Sequence, residues 1–213
     1  SAHSALNGSL FSDKIIQDVI EDELFYDQAI NSHAIDVSSL NGVITLTGKV
    51  KNLIAKDRAL NIVETVKGVK SVINRIEVEP FEEKSDEQIK KDINNALLID
   101  SATELFEINV DVNDGMATLK GTVESWQEKN LASKVTKSIN GLNKIDNQIE
   151  VEYVLNRTDY EIKQDIEKTF LWDILIDDAL IDVSVKDGNV ILTGTVGSAS
   201  EKSRAESKSW LCS

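Results

Sequence analysis

The chain has 213 residues, of which 41% are apolar and 28% charged, as in an ordinary soluble globular protein. Its formal net charge is −14, and the acidic excess is spread over the whole chain. This charge disfavours nucleic acid as a partner, because binding it needs clustered Lys and Arg. It also disfavours an anionic membrane surface, unless a local basic or apolar patch overrides it.

A repeat of fixed length organises the chain. Three similar strings end at Gly48, Gly121 and Gly194, which stand 73 residues apart. A constant period of this length indicates tandem copies of one small unit. We therefore divide the chain into an N-terminal tail (residues 1–11) and three modules, 12–80, 85–153 and 158–213. The two links between modules are equally short, which predicts a regular array that can hinge between its members.

Each module begins with a predicted amphipathic helix. Apolar residues recur at i, i+4 and i+8, which places them on one face of a helix. They are Ile16, Ile20 and Leu24 in the first copy, Ile89, Ile93 and Leu97 in the second, and Ile162, Ile166 and Phe170 in the third. Ser85–Gln88 and Thr158–Glu161 predict capping boxes at the helix start, whereas Ser12 predicts a cap alone. Tyr26 and Trp172 occupy equivalent positions after this helix.

A predicted β-hairpin follows the helix. Alternating apolar residues flank an Asn-Gly or Asp-Gly pair, which is the strongest short-range signal for a hairpin. The pairs are Asn41-Gly42, Asp114-Gly115 and Asp187-Gly188. On the returning strand, Ile44, Leu46, Gly48 and Val50 and their equivalents form the inward face, while threonines dominate the other. The sheet is therefore expected to be covered on one side only.

A second helix and a third strand complete the unit. Asn52, Ser125 and Ser198 predict the caps of the second helix, and Glu128 and Glu201 predict capping boxes in the last two copies. The order is α-β-β-α-β, with an antiparallel hairpin and a crossover that makes strands two and three parallel. The predicted fold class is α+β: three tandem modules, each with two helices packed on one face of a three-stranded mixed sheet.

The third copy departs from this pattern. Its last residue, Ser213, aligns with Lys67 of the first copy, so it lacks the sequence of a third strand. Residues 209–213 also break the pattern of the second helix. We expect either that the natural protein continues or that a strand arrives from elsewhere, as in a strand-exchanged homodimer, because an unpaired sheet edge invites such addition.

Three motifs resemble those of the BON family, a domain named for bacterial osmotically inducible and nodulation proteins. They are the D-x-x-I-x-x-D-I helix start, the D/N-G-x-V-x-L-x-G-x-V hairpin and the G-V-x-x-V-x-N-x-I-x-V ending. The last is found at Gly68–Val78 and, in a similar form, at Gly141–Val151. The resemblance implies an exported bacterial protein, periplasmic, secreted or lipid-anchored, whose modules bind phospholipid or another envelope component. It carries over no catalytic residues.

The sequence predicts no catalytic residues, no metal site and no cofactor. His3 lies in the tail, and His33 precedes a strand and has no equivalent in the other copies. No Cys/His spacing fits zinc, no glycine-rich phosphate loop appears, and the single cysteine, Cys212, excludes an internal disulfide. We therefore expect a binding protein and not an enzyme.

The candidate lipid- or partner-binding residues are Trp126, Lys129, Lys56 and Lys202. The three lysines recur at one position of the second helix, where they could contact an anionic headgroup or lay their stems over the edge of the core. Trp126 lies beside Ser125 at the helix start. It could insert into lipid or pack against a neighbouring module.

Two further sets of recurring polar residues have structural interpretations. Asp27, Asp100 and Asp173 follow the first helix, and we expect each carboxylate to bind the backbone of its own loop. Asn74 and Asn147 precede the end of the third strand, and we expect their side chains to bind the backbone as well.

These observations favour a non-enzymatic envelope protein, related to osmotic or envelope stress, that binds a phospholipid membrane surface or envelope proteins. The alternative is a protein-interaction or chaperone-like scaffold in the periplasm, favoured by the strong negative charge and the modular array.

Overall fold

The computed structural model describes residues 12–28, 30, 34–80, 84–99, 107–152 and 157–210. The predicted N-terminal tail (residues 1–11), His33, Asp100 and Cys212 lie outside the described residues. The three modules fold as α+β units, as the repeat predicts: helices pack against a small mixed sheet in modules 1 and 2 and, in the described part of module 3, against an antiparallel pair of strands.

Module 1 has the predicted order of elements. They are helix α1 (Asp13–Tyr26), strands β1 (Ile35–Leu40) and β2 (Val43–Val50), helix α2 (Leu53–Thr65), and strands β3 (Ser71–Asn74) and β4 (Glu77–Val78). β1 is antiparallel to the central β2, whereas β3 and β4 are parallel to it. The third strand is thus split in two. At the break, the Asn74 side chain accepts a hydrogen bond from the Ile76 N–H at 3.1 Å, the structural role expected for this asparagine.

Module 2 repeats the plan with an unbroken third strand. Its elements are α3 (Asp86–Ile99), β5 (Ile108–Asn113), β6 (Met116–Val123), α4 (Trp126–Lys137) and β7 (Lys144–Val151). β6 is central, antiparallel to β5 and parallel to β7. Asn147 acts like Asn74, since its Oδ1 accepts from the Ile149 N–H at 3.1 Å.

Module 3 has a two-stranded sheet within its described part. Its elements are α5 (Asp159–Trp172), a 3-10 helix (Asp178–Leu180), β8 (Ile181–Lys186), β9 (Asn189–Gly194) and α6 (Ala199–Trp210). The expectation that the helical pattern fails from residue 209 is wrong for Ser209 and Trp210, which belong to α6. Ser209 is buried four residues after the buried Ala205, and its hydroxyl donates to the Glu206 carbonyl at 2.7 Å. A small residue with a satisfied hydroxyl can therefore occupy the inner face.

The predicted apolar faces form the core of each module. Ile20, Ile93 and Ile166 of the first helices are fully buried, as are Ile44 and Leu46 of β2. The recurring alanine of the second helix is also buried in each copy, at Ala59, Ala132 and Ala205. Its lack of a larger side chain allows the helix to approach the sheet closely.

An aspartate at the start of each first helix binds the tip of the hairpin. The Asp13 carboxylate accepts hydrogen bonds from the N–H groups of Asn41 at 2.8 Å and Gly42 at 2.9 Å, and from the Ser39 hydroxyl. These donors hold the pKa of Asp13 below its ordinary value. Asp86 and Asp159 bind the equivalent turns in the same way. The N-terminus of the first helix is thus fixed to the hairpin turn in all three modules.

The predicted caps form, although two of the boxes differ from the expected geometry. Ser85 with Gln88 and Thr158 with Glu161 make reciprocal capping boxes. In the second helices, however, the Glu128 carboxylate accepts from the Glu124 N–H at 2.8 Å, one residue before the capping serine. Glu201 likewise accepts from the Gly197 N–H at 2.6 Å. The predicted bond to the serine hydroxyl is therefore confirmed in both boxes. The predicted bond from the serine N–H to the glutamate is wrong, because the N–H of the preceding residue makes it instead.

The three modules contact one another head to tail. The first residue of each second helix meets the next module. Leu53 packs into the core of module 2, Trp126 stacks on Trp210 of module 3 with ring centroids 4.3 Å apart, and Ala199 packs into the core of module 1. The Ala199 N–H also donates to the Val69 carbonyl at 3.2 Å. The array is therefore a closed ring instead of a hinged row.

Candidate membrane-facing surface

Each first helix ends in two large apolar residues that the core does not use. The pairs are Phe25 with Tyr26, Leu98 with Ile99, and Leu171 with Trp172, and we call these six residues the tip surface. The last buried position of the helix comes just before each pair, and a turn of about 100° per residue carries the next two away from the core. Tyr26 and Trp172 are each 78% exposed and Ile99 is 82% exposed.

The tips lie at the end of each module opposite the hairpin turn. Asp13 fixes the N-terminus of α1 to the turn at Asn41 and Gly42. A helix of 14 residues spans about 20 Å, so Tyr26 lies that far along the helix from the turn. In a head-to-tail ring, equivalent residues lie on the same side of the ring. We therefore expect the three tips to face one way.

The loop after α5 enlarges the third tip. Ile174 is 97% exposed and Leu175 is also exposed, whereas Ile176 is buried in the core. The Asp173 carboxylate holds this loop. It accepts from the Leu175 N–H at 3.1 Å, and both of its oxygens lie 2.8 Å from Nε of Arg204 on α6.

The Arg204 guanidinium is the main reason why the pKa of Asp173 lies below its ordinary value. Asp27 plays the same part in module 1, where Arg58 donates to its carboxylate at 2.6 Å. The expected bond to the loop backbone is thus present at Asp173. The partner that sequence reasoning missed is the arginine of the second helix.

A basic cleft of about 660 Å³ lies beside the third tip. Trp172 and Ile174 line it together with four cationic side chains and two carboxylates, a local excess of two positive charges in a chain of net charge −14. The charged residues are Arg157, Lys168, Arg204 and Lys208, with Asp165 and Asp173. Lys168 is exposed and makes no ion pair within the described part of the chain. The cleft can therefore accept an anion next to an apolar tip.

The residues predicted from sequence lie elsewhere. Trp126 is half-buried against Trp210, and the Nζ of Lys129 lies 5.6 Å from its ring centroid. The structure thus engages Trp126 with a neighbouring module, one of the two roles expected for it. Lys56 is half-buried on α2, and Lys202 is exposed on α6, where it lines a groove beside β9.

The tips had a weak sequence signal. Tyr26 and Trp172 stand at equivalent positions, but they are the last residues of their helices and do not follow them.

Across the described residues, no three His, Cys, Asp or Glu side chains converge as a metal site. Of the helices described, none has both the length and the apolar character needed to cross a membrane.

Comparisons with known proteins fit the repeat. The family model described as BON domain matches residues 12–80, 85–153 and 158–210. Osmotically-inducible protein Y of Escherichia coli (strain K12) is 26% identical over 151 residues, which cover 68% of this chain and 75% of that protein.

Two solved structures of CdsD, a structural protein of the type III secretion system of Chlamydia trachomatis, are 19% identical to the chain. One match covers 87% of this chain and 78% of the other, with a TM-score of 0.27. The second, to the C-terminal domain, covers 83% and 79%, with a TM-score of 0.26.

Proposed function

The chain belongs to the BON domain family, and we propose that it is a non-enzymatic protein of the bacterial envelope, periplasmic or secreted, that binds phospholipid membrane surfaces. The similarity to a protein named as osmotically inducible supports a role under osmotic or envelope stress. The observation that carries the proposal is the tip surface, three pairs of exposed apolar side chains at equivalent positions of a ring.

Moving these exposed apolar side chains from water into a bilayer would lower their free energy. Fully burying a large apolar side chain contributes about 1.5–3 kcal/mol. Trp and Tyr favour the membrane–water interface, where the ring is buried and its polar group stays hydrated. Trp172 and Tyr26 suit this position. Three tips on one side can enter one membrane together.

The basic cleft explains how an acidic protein can approach an anionic surface. Near such a surface each Lys or Arg contributes about 1 kcal/mol. Arg204 and Lys208 lie close to Asp173, which offsets part of their charge. Lys168 is exposed on the outer side of α5 beside Trp172 and is best placed to meet a phosphate headgroup.

Cosedimentation with vesicles tests the proposal. Phosphatidylcholine vesicles and vesicles containing phosphatidylglycerol are compared, and we expect binding to both with a preference for the anionic ones. The triple variant Tyr26→Ser, Ile99→Ser, Trp172→Ser should bind at least tenfold more weakly to both kinds of vesicle. Losing the burial of even one such side chain costs about 1.5–3 kcal/mol, and about 1.4 kcal/mol corresponds to tenfold in affinity. Lys168→Gln should reduce only the anionic preference.

Leu40→Ser is the matched control. Leu40 is also a largely exposed apolar residue, at 71%, but it lies beside the hairpin turn at the opposite end of the module. Its loss should leave vesicle binding unchanged. The proposal fails if the wild-type chain binds neither kind of vesicle, or if Leu40→Ser weakens binding as much as the triple variant does.

A further inference from the structure

Two Asn-Gly pairs of the chain are held in very different ways. An asparagine followed by glycine is prone to spontaneous loss of its side-chain amide, because a glycine without Cβ lets its backbone nitrogen approach the asparagine side chain closely. The chain has three such pairs, Asn7-Gly8, Asn41-Gly42 and Asn140-Gly141. The first lies outside the described residues. The geometry of the other two indicates which of them reacts.

The reaction depends on the backbone nitrogen of the glycine. This nitrogen loses its proton to the solvent and attacks the asparagine Cγ. The N–Cγ bond forms, the bond from Cγ to Nδ2 breaks, and ammonia leaves behind a cyclic succinimide. Water then opens the ring at either carbonyl, which gives aspartate or isoaspartate. Water is consumed and ammonia released, so no other reactant is needed. Isoaspartate routes the main chain through the side-chain methylene and lengthens the backbone by one atom.

The Asn41-Gly42 pair is bound to an anion. The N–H groups of Asn41 and Gly42 donate to the Asp13 carboxylate at 2.8 and 2.9 Å. The Gly42 carbonyl in turn accepts from the Lys70 N–H at 2.9 Å. To attack, the Gly42 nitrogen would have to give up its bond and develop negative charge beside a carboxylate. The lowered pKa of Asp13 also makes that carboxylate a weak base. Reaction therefore requires the turn to open first.

The Asn140-Gly141 pair has no such protection. Asn140 is exposed, and within the described residues neither its side-chain amide nor the Gly141 N–H forms a hydrogen bond. The chain is fixed on both sides of the pair. The Ile139 N–H donates to the last turn of α4 at 3.1 Å, and the Asn143 N–H donates to the hairpin turn of module 2 at 2.9 Å. The nitrogen that must react is thus available in the folded chain.

We propose that Asn140 is a site of spontaneous deamidation in the folded chain and that the Asp13 carboxylate protects Asn41 from the same reaction. Both pairs have the same covalent chemistry, so their hydrogen bonds decide the difference. The inference does not depend on the binding of lipid.

The internal repeat shows that the asparagine is not needed at this position. Module 1 has Lys67 where module 2 has Asn140. The glycines that follow share one backbone conformation, with φ of 96° at Gly68 and 98° at Gly141. The left-handed conformation favours the glycine but places no demand on the residue before it. Lysine at position 140 therefore keeps the fold and removes the reactive amide.

Isoaspartate at position 140 would disturb the contact between modules 1 and 2. Gly141 lies directly against Ile89 of α3, since a Cβ on Gly141 would come within 3.0 Å of the Ile89 Cδ1. The next residue, Leu142, is 1% exposed and belongs to the same core as Leu53 of module 1. A longer backbone just before Leu142 shifts side chains that join the two modules. Conversion of Asn140 would therefore loosen the ring with time.

Peptide mapping of the full chain by mass spectrometry tests the proposal. The chain is incubated in mildly alkaline buffer, and loss of the amide is followed at each asparagine. We expect Asn140 to convert at least tenfold faster than Asn41 in the folded chain, because Asn41 reacts only from an opened turn. In guanidinium chloride the two rates should become similar. Equal rates in the folded chain, or a difference that persists after unfolding, would overturn the proposal.

Asp13→Ala tests the protection of Asn41. Removal of the carboxylate should raise the rate at Asn41 severalfold and leave the rate at Asn140 unchanged. Equal increases at both sites would mean that the variant only unfolds more often, and would refute the protective role of Asp13.

Asn140→Lys is the matched control for the consequence, because it copies the residue of module 1. After incubation, amide exchange in β7 should be faster in the wild-type chain, and its module 2 should accept methyl groups from an isoaspartyl methyltransferase. The incubated variant should show neither change in module 2. Similar changes in the two chains would contradict the role of Asn140.

Discussion

Leu53 tests the contact between modules 1 and 2, one of the three contacts on which the ring depends. It belongs to module 1 by sequence, yet its side chain is 8% exposed and packs among core residues of module 2. Replacing a buried leucine by alanine costs about 2–5 kcal/mol. We expect the lower half of that range, about 2–3 kcal/mol, because the site lies where two modules meet. Alanine already stands at the equivalent position, Ala199, so the helix itself tolerates the change.

Urea unfolding followed by circular dichroism measures the free energy of unfolding, and hydrogen exchange locates the loss. Leu53→Ala should lower the stability of the chain and speed amide exchange in β6 of module 2, although the substitution lies in module 1. Ile54→Ala is the matched control, since Ile54 is the next residue and is 51% exposed. Its cost should be below about 1 kcal/mol. The ring would be refuted if the two substitutions had equal cost or if exchange in β6 stayed unchanged.

Three further predictions concern two glycines of the third hairpin, the hairpin anchor Asp13 and the loop anchor Arg204. Gly194→Ala should destabilise the chain by more than about 2 kcal/mol, because the φ of Gly194 is 150° and a Cβ there would overlap a backbone carbonyl. Gly188→Ala should cost only about 1 kcal/mol, because the φ of Gly188 is 75° and the space around it is open. Chemical denaturation of the two variants compares these costs. Asp13 has a lowered pKa, so its contribution is present above the ordinary pKa of Asp and is lost as pH falls through the folded value. Asp13→Asn should therefore destabilise the chain at pH 7 and reduce the further loss between pH 5 and pH 3, as measured by urea midpoints at several pH values. Arg204→Gln should raise the pKa of Asp173 towards its ordinary value, as followed by NMR titration, because the largest cause of the lowering is removed; an unchanged pKa would contradict the assignment.

The local fold could be predicted from the sequence because three copies constrain one another. A single alternation such as Ile44, Leu46, Gly48, Val50 is compatible with several folds. Repeated at a constant interval, with a hairpin turn and helix caps at fixed positions, it specifies one module. The same comparison showed that the third copy departs from the plan, and its described sheet has two strands.

The ring could not be predicted from the sequence, because the residues that make its contacts occupy one position of the repeat but are of different types. Leu53, Trp126 and Ala199 occupy the same position of the repeat, and each contacts a neighbouring module. Their side chains nevertheless differ so much that no common pattern marks the interface. The anchors of the loops after the first helix were hidden for a similar reason. Arg58 and Arg204 are equivalent, but module 2 has Leu131 at that position.

The ring gives a physical reason for three modules. A unit of about 70 residues buries only about 60% of the surface that its unfolded chain exposes, so it is marginally stable alone. Residues such as Leu53 and Ala199 extend each core across a module boundary. We expect the same contacts to hold the three apolar tips on one side of the ring.

If the chain binds membranes as proposed, a single tip would bury too little area to hold it on the surface for long. When one tip has bound, however, the other two meet the surface at a high effective concentration. In a flexible row of modules, each tip would also have to lose its orientational freedom when it binds, and a preformed ring has already lost it. The proposed affinity for a membrane therefore depends on two sets of residues, the tips that would enter it and the contact residues Leu53, Trp126 and Ala199 that hold the modules together.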